Sequence, residues 1–176
     1  MPLRALTFAC GAALLAQISL GAWVSTNYAV LACADFPSCH GAWWPAMNFS
    51  QGFELWRELG VTGRGEPIEF AALTAIHFTH RLVALPVVLM LLWLAAALYA
   101  AGPLRKPALA LAALTTFQVL TGVSNVVFEW PLLAAVLHTG GAGAMVLVLT
   151  WIWCASEMTR TGEMQPSQNA IAARPR

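Results

Sequence analysis

Four long apolar stretches, separated by polar connections, dominate the pattern of this chain. We expect them to run over Leu3–Leu31, Phe70–Ala100, Pro107–Phe128 and Pro131–Ser156. Each is at least as long as the roughly 20 residues that a helix needs to cross the hydrocarbon of a bilayer. The first stretch is longer than the apolar part of a signal peptide, so we expect it to be retained as a helix. The pattern predicts an all-α integral membrane protein with four transmembrane helices.

Composition agrees with a membrane location and argues against one class of partner. Hydrophobic residues make up 59% of the chain and charged residues only 10%. A soluble domain carries about 25% charged residues. The formal net charge of +1 gives no electrostatic case for a nucleic-acid partner. We therefore expect the lipid bilayer as a partner and no nucleic acid.

Basic residues in the short connections predict the orientation of the helices. Arg4 precedes most of the first apolar stretch, Arg105 and Lys106 join the second to the third, and Arg160 follows the fourth. Under the positive-inside rule, both termini and the turn at Arg105 and Lys106 lie in the cytoplasm. The long loop over 32–69 then faces outward, into the periplasm of a multi-pass protein.

The outward loop carries two local features. Cys33 and Cys39 lie close together, and an oxidising compartment allows a disulfide to persist there. Such a bond would either fasten the loop or exchange with a thiol partner. The run 53–60 alternates apolar and charged residues at helical spacing, which predicts a short amphipathic helix on the membrane surface. We expect a bundle domain over 1–156 and a polar, disordered cytoplasmic tail over 157–176.

The two halves of the membrane part repeat a short motif. The first apolar stretch carries Gln17-Ile-Ser-Leu-Gly21, and the third carries Gln118-Val-Leu-Thr-Gly122. In each half, the next stretch contains a histidine, His80 or His138. This repetition predicts a four-helix bundle built from a duplicated helical hairpin, although Gln and Gly are also common where membrane helices pack together.

Histidines inside apolar helices are the candidate functional residues. A titratable side chain in hydrocarbon is costly, so it is usually kept for function. At 1.5 Å per residue, His80 lies about 16 Å along its helix from Glu69, and His138 about 12 Å from Trp130. Both distances start at the outward surface, so the two imidazoles lie at similar depth. Imidazoles on separate membrane helices are the usual axial ligands of a buried heme, and we expect His80 and His138 to ligate its iron.

Two neighbours of His80 are further candidates. His77 lies three residues earlier on the same helix face, and is either a catalytic residue or a hydrogen-bonded interior histidine. Arg81 needs an anionic or carbonyl partner at this depth. Heme propionates would make Arg81 a cofactor-binding residue, whereas Glu69 or Glu129 would make it structural.

Several motifs, taken in their order along the chain, resemble those of the heme A synthase family. They are Gly21-Ala-Trp-Val-Ser, Cys33-Ala-Asp-Phe-Pro-Ser-Cys39-His-Gly, His77-Phe-Thr-His80-Arg81, Gln118-Val-Leu-Thr-Gly122 and Leu137-His138-Thr139. The resemblance implies a bacterial inner-membrane oxidoreductase for cytochrome c oxidase assembly. It would oxidise the methyl group of heme O to the formyl group of heme A. Family members usually have two four-helix bundles, one that handles heme O and one that holds a resident heme b.

The resemblance also assigns residues in this chain. It implies His80 and His138 as the paired heme ligands, and Cys33 and Cys39 as the outer-loop cysteine pair. His77 stands where the substrate-handling bundle has a glutamate, so the chain resembles the second half, which holds heme b. A second four-helix bundle, from a missing half or another copy, is then an expected partner. The alternatives are a non-enzymatic b-type cytochrome that carries electrons and, less fitting, a thiol–quinone oxidoreductase.

Overall fold

Helices form the membrane part of the protein. The computed structural model describes residues 3–58 and 60–172. It contains four long helices, α1 (Leu3–Thr26), α3 (Phe70–Ala101), α4 (Arg105–Val127) and α5 (Leu132–Ala172), and one short helix, α2 (Phe49–Gly52). The four long helices are long and apolar enough to cross a membrane, with α5 counted over Leu132–Ser156. No strand occurs among the described residues, and the predicted all-helical membrane class is confirmed.

Two helix ends differ from the predicted ends for local reasons. α1 stops at Thr26, because Tyr28 adopts a left-handed conformation with φ 57° and a 3-10 turn, Ala29–Leu31, follows it. A left-handed residue ends the regular hydrogen-bond ladder of a helix. α4 begins before Pro107, which is compatible with its first turn because backbone N–H groups there have no helical acceptor.

The end of α5 also differs from the prediction. The helix continues to Ala172, where the sequence predicts disorder from 157 onward. Helix propagation adds one residue at a time to an existing helix, and the membrane-spanning part of α5 supplies that existing helix. Positions 173–176 of the predicted tail lie outside the described residues. The division into a bundle over 1–156 and a tail over 157–176 stays a prediction.

The predicted amphipathic helix over 53–60 is wrong. The described residues of this run form turns, bends and irregular backbone, and a short helix of the loop, α2, lies earlier because Asn48 caps it. The guanidinium group of Arg57 donates to the backbone carbonyls of Glu54 and Val61, at 3.1 and 3.0 Å. These bonds fold the chain back on itself, so the carbonyls are unavailable to a helical ladder.

The long helices form a closed ring of neighbours. α1 packs on α3, α3 on α4, α4 on α5, and α5 on α1. In the described part of the chain, no Cα atom of α3 comes within 8 Å of a Cα atom of α5. α3 and α5 are therefore diagonally opposite in the bundle.

A dense apolar core fills the half of the bundle nearer the α3–α4 turn. All four helices contribute to it: Leu6, Cys10, Leu14, Val87, Leu91, Leu94, Ala95, Leu98, Ala108, Leu111, Met145, Leu149 and Ile152. A smaller cluster of Val24, Ala29, Ala32 and Ile76 joins α1 and α3 to the connection between them at the other end. On α3, His80 lies between Ile76 of the smaller cluster and Val87 of the core, and on α5, His138 precedes the first core residue, Met145.

Candidate functional site

At the level of the two histidines, three of the four long helices carry no buried residue. None of the residues 15–23 of α1, 79–86 of α3 and 132–140 of α5 is buried. Each of these stretches is longer than two turns of about 3.6 residues, so each includes an inward-facing side. The side chains on these inward sides are therefore partly exposed. We call this level, formed by the three stretches, the open layer.

His80 and His138 both belong to the open layer. His80 lies on α3 and His138 on α5, and both side chains are partly buried. These helices are diagonal, and their Cα atoms stay more than 8 Å apart. Two imidazoles on diagonal helices of a bundle are the arrangement that a bis-histidine heme requires.

Each histidine packs on a glycine of the neighbouring helix in the same way. A Cβ atom added to Gly21 of α1 would lie 3.1 Å from Cε1 of His80, and one added to Gly122 of α4 would lie 3.1 Å from Cε1 of His138. The distance to Nδ1 would be 3.7 Å in both pairs. Ordinary van der Waals contact begins at 3.4 Å. Glycine is therefore the residue that leaves each imidazole in its present place.

A glutamine lies beside His80. The side-chain Nε2 of Gln17 donates to the backbone carbonyl of His80 at 3.0 Å and lies 3.0 Å from its ring Nδ1. The other end of this amide, Oε1, is buried and has no hydrogen-bond partner. Gln17 therefore fixes the histidine from α1 while keeping one polar atom unpaired.

The environment of His138 has the same glutamine and an additional hydroxyl. Its Nδ1 lies 2.9 Å from Oγ1 of Thr121. The Nε2 atom of Gln118 is buried and unpaired, and it lies against Gly141 of α5, where a Cβ atom would overlap it. Each histidine thus packs on a glycine of the neighbouring helix at the same distance, and the glutamine four residues before that glycine contacts the histidine's own helix.

These residues fit a bis-histidine heme. Buried polar atoms without partners are rare in native structures, and here Gln17 and Gln118 place one beside each histidine. The donors are two imidazoles, a ligand pair that suits heme iron. An apolar core on one side and an open layer between diagonal helices provide a low-dielectric site for a flat, largely apolar group.

Arg81 binds the connection between α1 and α3. Its guanidinium group donates to the backbone carbonyls of Cys33 at 2.6 Å, Asp35 at 2.8 Å and Ser38 at 3.2 Å. Glu69, one predicted alternative, instead accepts a hydrogen bond from the side chain of Asn48. Backbone carbonyls therefore satisfy Arg81 in this structure, and a contact with heme propionates stays a prediction.

His77 supports Arg81. The histidine is 6% exposed, and its Nε2 accepts a hydrogen bond of 3.2 Å from Nε of Arg81. Nδ1 is buried without a well-aligned hydrogen bond. Because an accepting Nε2 carries no proton, the neutral ring holds its proton on Nδ1. A catalytic role for His77 stays a prediction.

Comparison with known proteins identifies the family. The family model COX15-CtaA, described as a cytochrome oxidase assembly protein, matches residues 1–151. This chain belongs to the heme A synthase family. The Heme A synthase of Shewanella oneidensis is 37% identical over 139 residues, which are 79% of this chain and 42% of that relative. This chain therefore spans about two fifths of the length of that relative. No solved structure matches this chain.

The cysteine pair of the family member forms a disulfide. Cys33 and Cys39 are bonded with a sequence separation of 6, and both are buried. Between them, the carboxylate of Asp35 accepts hydrogen bonds from the Ser38 hydroxyl at 2.5 Å and the Gly41 N–H at 2.9 Å. These bonds hold the pKa of Asp35 well below its ordinary value. We call residues 33–41 the disulfide corner.

An apolar groove of about 340 Å³ lies away from the histidines, between α1 and α5. Its walls include Phe8, Gly11 and Trp153, and its hydroxyl groups belong to Thr7 and Thr150. Both hydroxyls already donate to carbonyls of their own helices, at 2.9 and 2.8 Å. The groove therefore offers no group for chemistry.

Sequence reasoning did not assign roles to Thr121, Asp35 or the glutamines at the histidines. The repeated motif contains Gln17, Gln118 and Thr121. Their spacing before Gly21 or Gly122 is the sequence feature that could have indicated a role at the histidines. Asp35 was visible between two cysteines, with Ser38 and Gly41 nearby as donors. A short acidic side chain among small polar residues is a common turn signal.

Proposed function

We propose that this bundle holds a heme between His80 and His138 and takes part in heme A biosynthesis as one four-helix unit of a heme A synthase. The observation that carries the proposal is the pair of matched histidine–glycine contacts on diagonal helices that border the open layer. Membership in the family supports it. The resident group would be heme b, and heme O would be the substrate of the complete enzyme.

His80 and His138 would supply the two axial nitrogens. A bis-histidine heme supplies reversible one-electron transfer. Gly21 and Gly122 would allow the Cε1 edge of each imidazole to approach its neighbouring helix without displacement. The apolar core below the open layer would exclude water from the site, and the disulfide corner, held by Arg81, would stiffen the end nearer the α1–α3 connection.

The complete reaction would need more than this chain. Oxidising a porphyrin methyl group to a formyl group replaces two C–H bonds with a C=O bond, so it requires water or another source of the oxygen atom and an electron acceptor outside the bundle. The chain covers 42% of its Heme A synthase relative, which leaves room in that relative for a second four-helix bundle. We propose that such a bundle, on another chain or in a second copy, accompanies this one and handles heme O.

We also propose that the bundle is a duplicated hairpin. α1 and α3 would form one hairpin and α4 and α5 the other, because each pairs a glycine with a histidine at the same distances. The basic residues near the helix ends support cytoplasmic termini in a bacterial inner membrane. The disulfide supports a periplasmic position for the connection between α1 and α3.

A b-type electron carrier is the second candidate. The membrane-spanning segments Leu3–Thr26, Phe70–Ala101, Arg105–Val127 and Leu132–Ser156 contain no Asp or Glu. His77, the candidate for proton transfer, is tied to Arg81. Heme ligands that have no acid or base beside them suit electron transfer. Any oxidation of the methyl group would then take place in the second bundle.

The heme composition of membranes distinguishes the two candidates. We would extract hemes from cells that carry the native chain, His80→Ala, His138→Ala or the control His40→Ala, whose ring is exposed outside the open layer. A synthase unit predicts that heme A falls and heme O accumulates in the first two variants only. Unchanged heme A with loss of a bound b-type heme identifies an electron carrier. Unchanged heme A and unchanged bound heme would reject both.

A further inference from the structure

We infer that Thr121 sets the protonation and orientation of His138, so that the two proposed heme ligands differ in electron-donating strength. This inference rests on the proposed ligation of heme by His138. It concerns a positioning residue, since Thr121 acts on the ligand through a hydrogen bond. The matched hairpins make the difference visible, because only one of them has a hydroxyl beside its histidine.

The hydrogen bonds of Thr121 define the direction of proton donation. Its side chain is 7% exposed, and Oγ1 lies within hydrogen-bond distance of two backbone carbonyls, those of Phe117 at 2.9 Å and Gln118 at 3.2 Å. A hydroxyl has one proton and two lone pairs. Because a helix carbonyl takes the proton, Oγ1 is an acceptor toward Nδ1 of His138, 2.9 Å away.

This direction fixes the tautomer of the ring. Nδ1 of His138 therefore carries the ring proton, and Nε2 keeps a free lone pair. This is the tautomer that binds a metal through Nε2.

His80 lacks this arrangement. The first hairpin has Leu20 three residues after Gln17, where the second has Thr121 three residues after Gln118. In place of a hydroxyl, His80 has the amide Nε2 of Gln17, which lies 3.0 Å from Nδ1 and 3.4 Å from Nε2 of the ring. An N–H donor beside Nδ1 does not favour a proton there. Thr121 thus fixes the tautomer of His138 before ligation, whereas the contacts of His80 place no acceptor beside its Nδ1.

The difference has a measurable consequence at the iron. A ligating histidine that donates its other N–H to an acceptor is fixed in orientation and is a more basic ligand. A more basic ligand favours ferric iron over ferrous iron. Thr121 should therefore strengthen retention of heme and lower its reduction potential.

The experiment compares three substitutions in the purified full chain. Thr121→Val removes the hydroxyl with little change in volume, and Thr121→Ser restores a hydroxyl. Thr115→Val is the matched control: Thr115 is 0% exposed on the same helix, and its Oγ1 makes the same kind of bond, to Leu111, at 2.8 Å. Heme per chain and the midpoint potential are measured for each.

We expect Thr121→Val to weaken heme affinity by about 10- to 100-fold, the usual effect of losing the hydrogen-bond partner of a metal-ligating histidine. Its midpoint potential should move to a more positive value. Thr121→Ser and Thr115→Val should match the native chain. Equal affinity and potential in Thr121→Val and Thr115→Val, with heme still bound, would overturn the inference alone. A native chain that binds no heme would overturn the proposed function, and this inference with it.

Discussion

The glycines beneath the two histidines provide a sharp test of the site. Gly21→Ala and Gly122→Ala each add one methyl group, whose carbon would lie 3.1 Å from an imidazole Cε1. Ordinary contact begins at 3.4 Å, so each imidazole must move by a few tenths of an ångström. We expect both variants to bind heme more weakly than the native chain.

The size of the effect follows from the displaced ring. A side chain forced away from its rotamer costs about 0.5–1.5 kcal/mol. With tenfold in affinity for about 1.4 kcal/mol, this corresponds to about 2- to 12-fold weaker heme binding for each substitution. The helices themselves should not suffer, because Ala stabilises a helix interior by about 0.5–1 kcal/mol relative to Gly.

Two other glycines serve as matched controls. Gly11→Ala on α1 and Gly143→Ala on α5 add the same methyl group, and no atom lies within 4 Å of either new carbon. Heme titration into the purified chains, followed by absorption, gives the affinity, and thermal unfolding gives the stability. If Gly21→Ala and Gly122→Ala bind heme as tightly as these controls, the assigned packing of the histidines on the two glycines is wrong.

Three further predictions concern the disulfide corner. Replacing Cys33 and Cys39 with Ser should lower the free energy of unfolding, measured by denaturant titration, by about 2–3 kcal/mol. The heme absorption should stay unchanged, and loss of heme would contradict a purely structural role of the disulfide. Because the pKa of Asp35 is lowered on folding, the stability it contributes is complete above its ordinary pKa of about 3.9 and is lost as the pH falls toward the lower folded value. The corner should therefore open as the pH falls, which limited proteolysis detects as faster cleavage. In Asp35→Asn the corner should be open, and cleaved, equally at all pH values. Cleavage of the native chain that does not depend on pH would contradict this. Arg81→Gln should raise hydrogen exchange across the corner, since three carbonyls lose a charged donor; unchanged exchange would contradict the anchoring role, and loss of heme instead would favour a propionate contact.

The membrane helices could be predicted because their signal is local. A sum of hydropathy over one span locates α1, α3 and α4 to within about five residues of their ends, and it locates the start of α5 but not its end at Ala172. The run 53–60 failed for the opposite reason: its alternating pattern is helical, but Arg57 binds the carbonyls of Glu54 and Val61 and, 30 residues away along the chain, the side-chain oxygen of Asn27. Tertiary contacts of this kind override local propensity.

The candidate site was partly predictable for a similar reason. His80 and His138 were found because histidine is rare in hydrocarbon and because the spacing from the helix ends gives their depth. The partners of Arg81 could not be found, since Asp35 lies 46 residues away along the chain and contributes a backbone carbonyl. Any residue type has such a carbonyl, so no sequence signal marks it.

The most direct test of the account is the absorption spectrum of the purified chain and three variants, His80→Ala, His138→Ala and the exposed control His40→Ala. The account predicts a six-coordinate, low-spin heme in the native chain and in His40→Ala. Each of the other two variants should lose that spectrum, since one axial imidazole is gone. An unchanged low-spin spectrum in both, or a native chain without heme, would contradict ligation between α3 and α5.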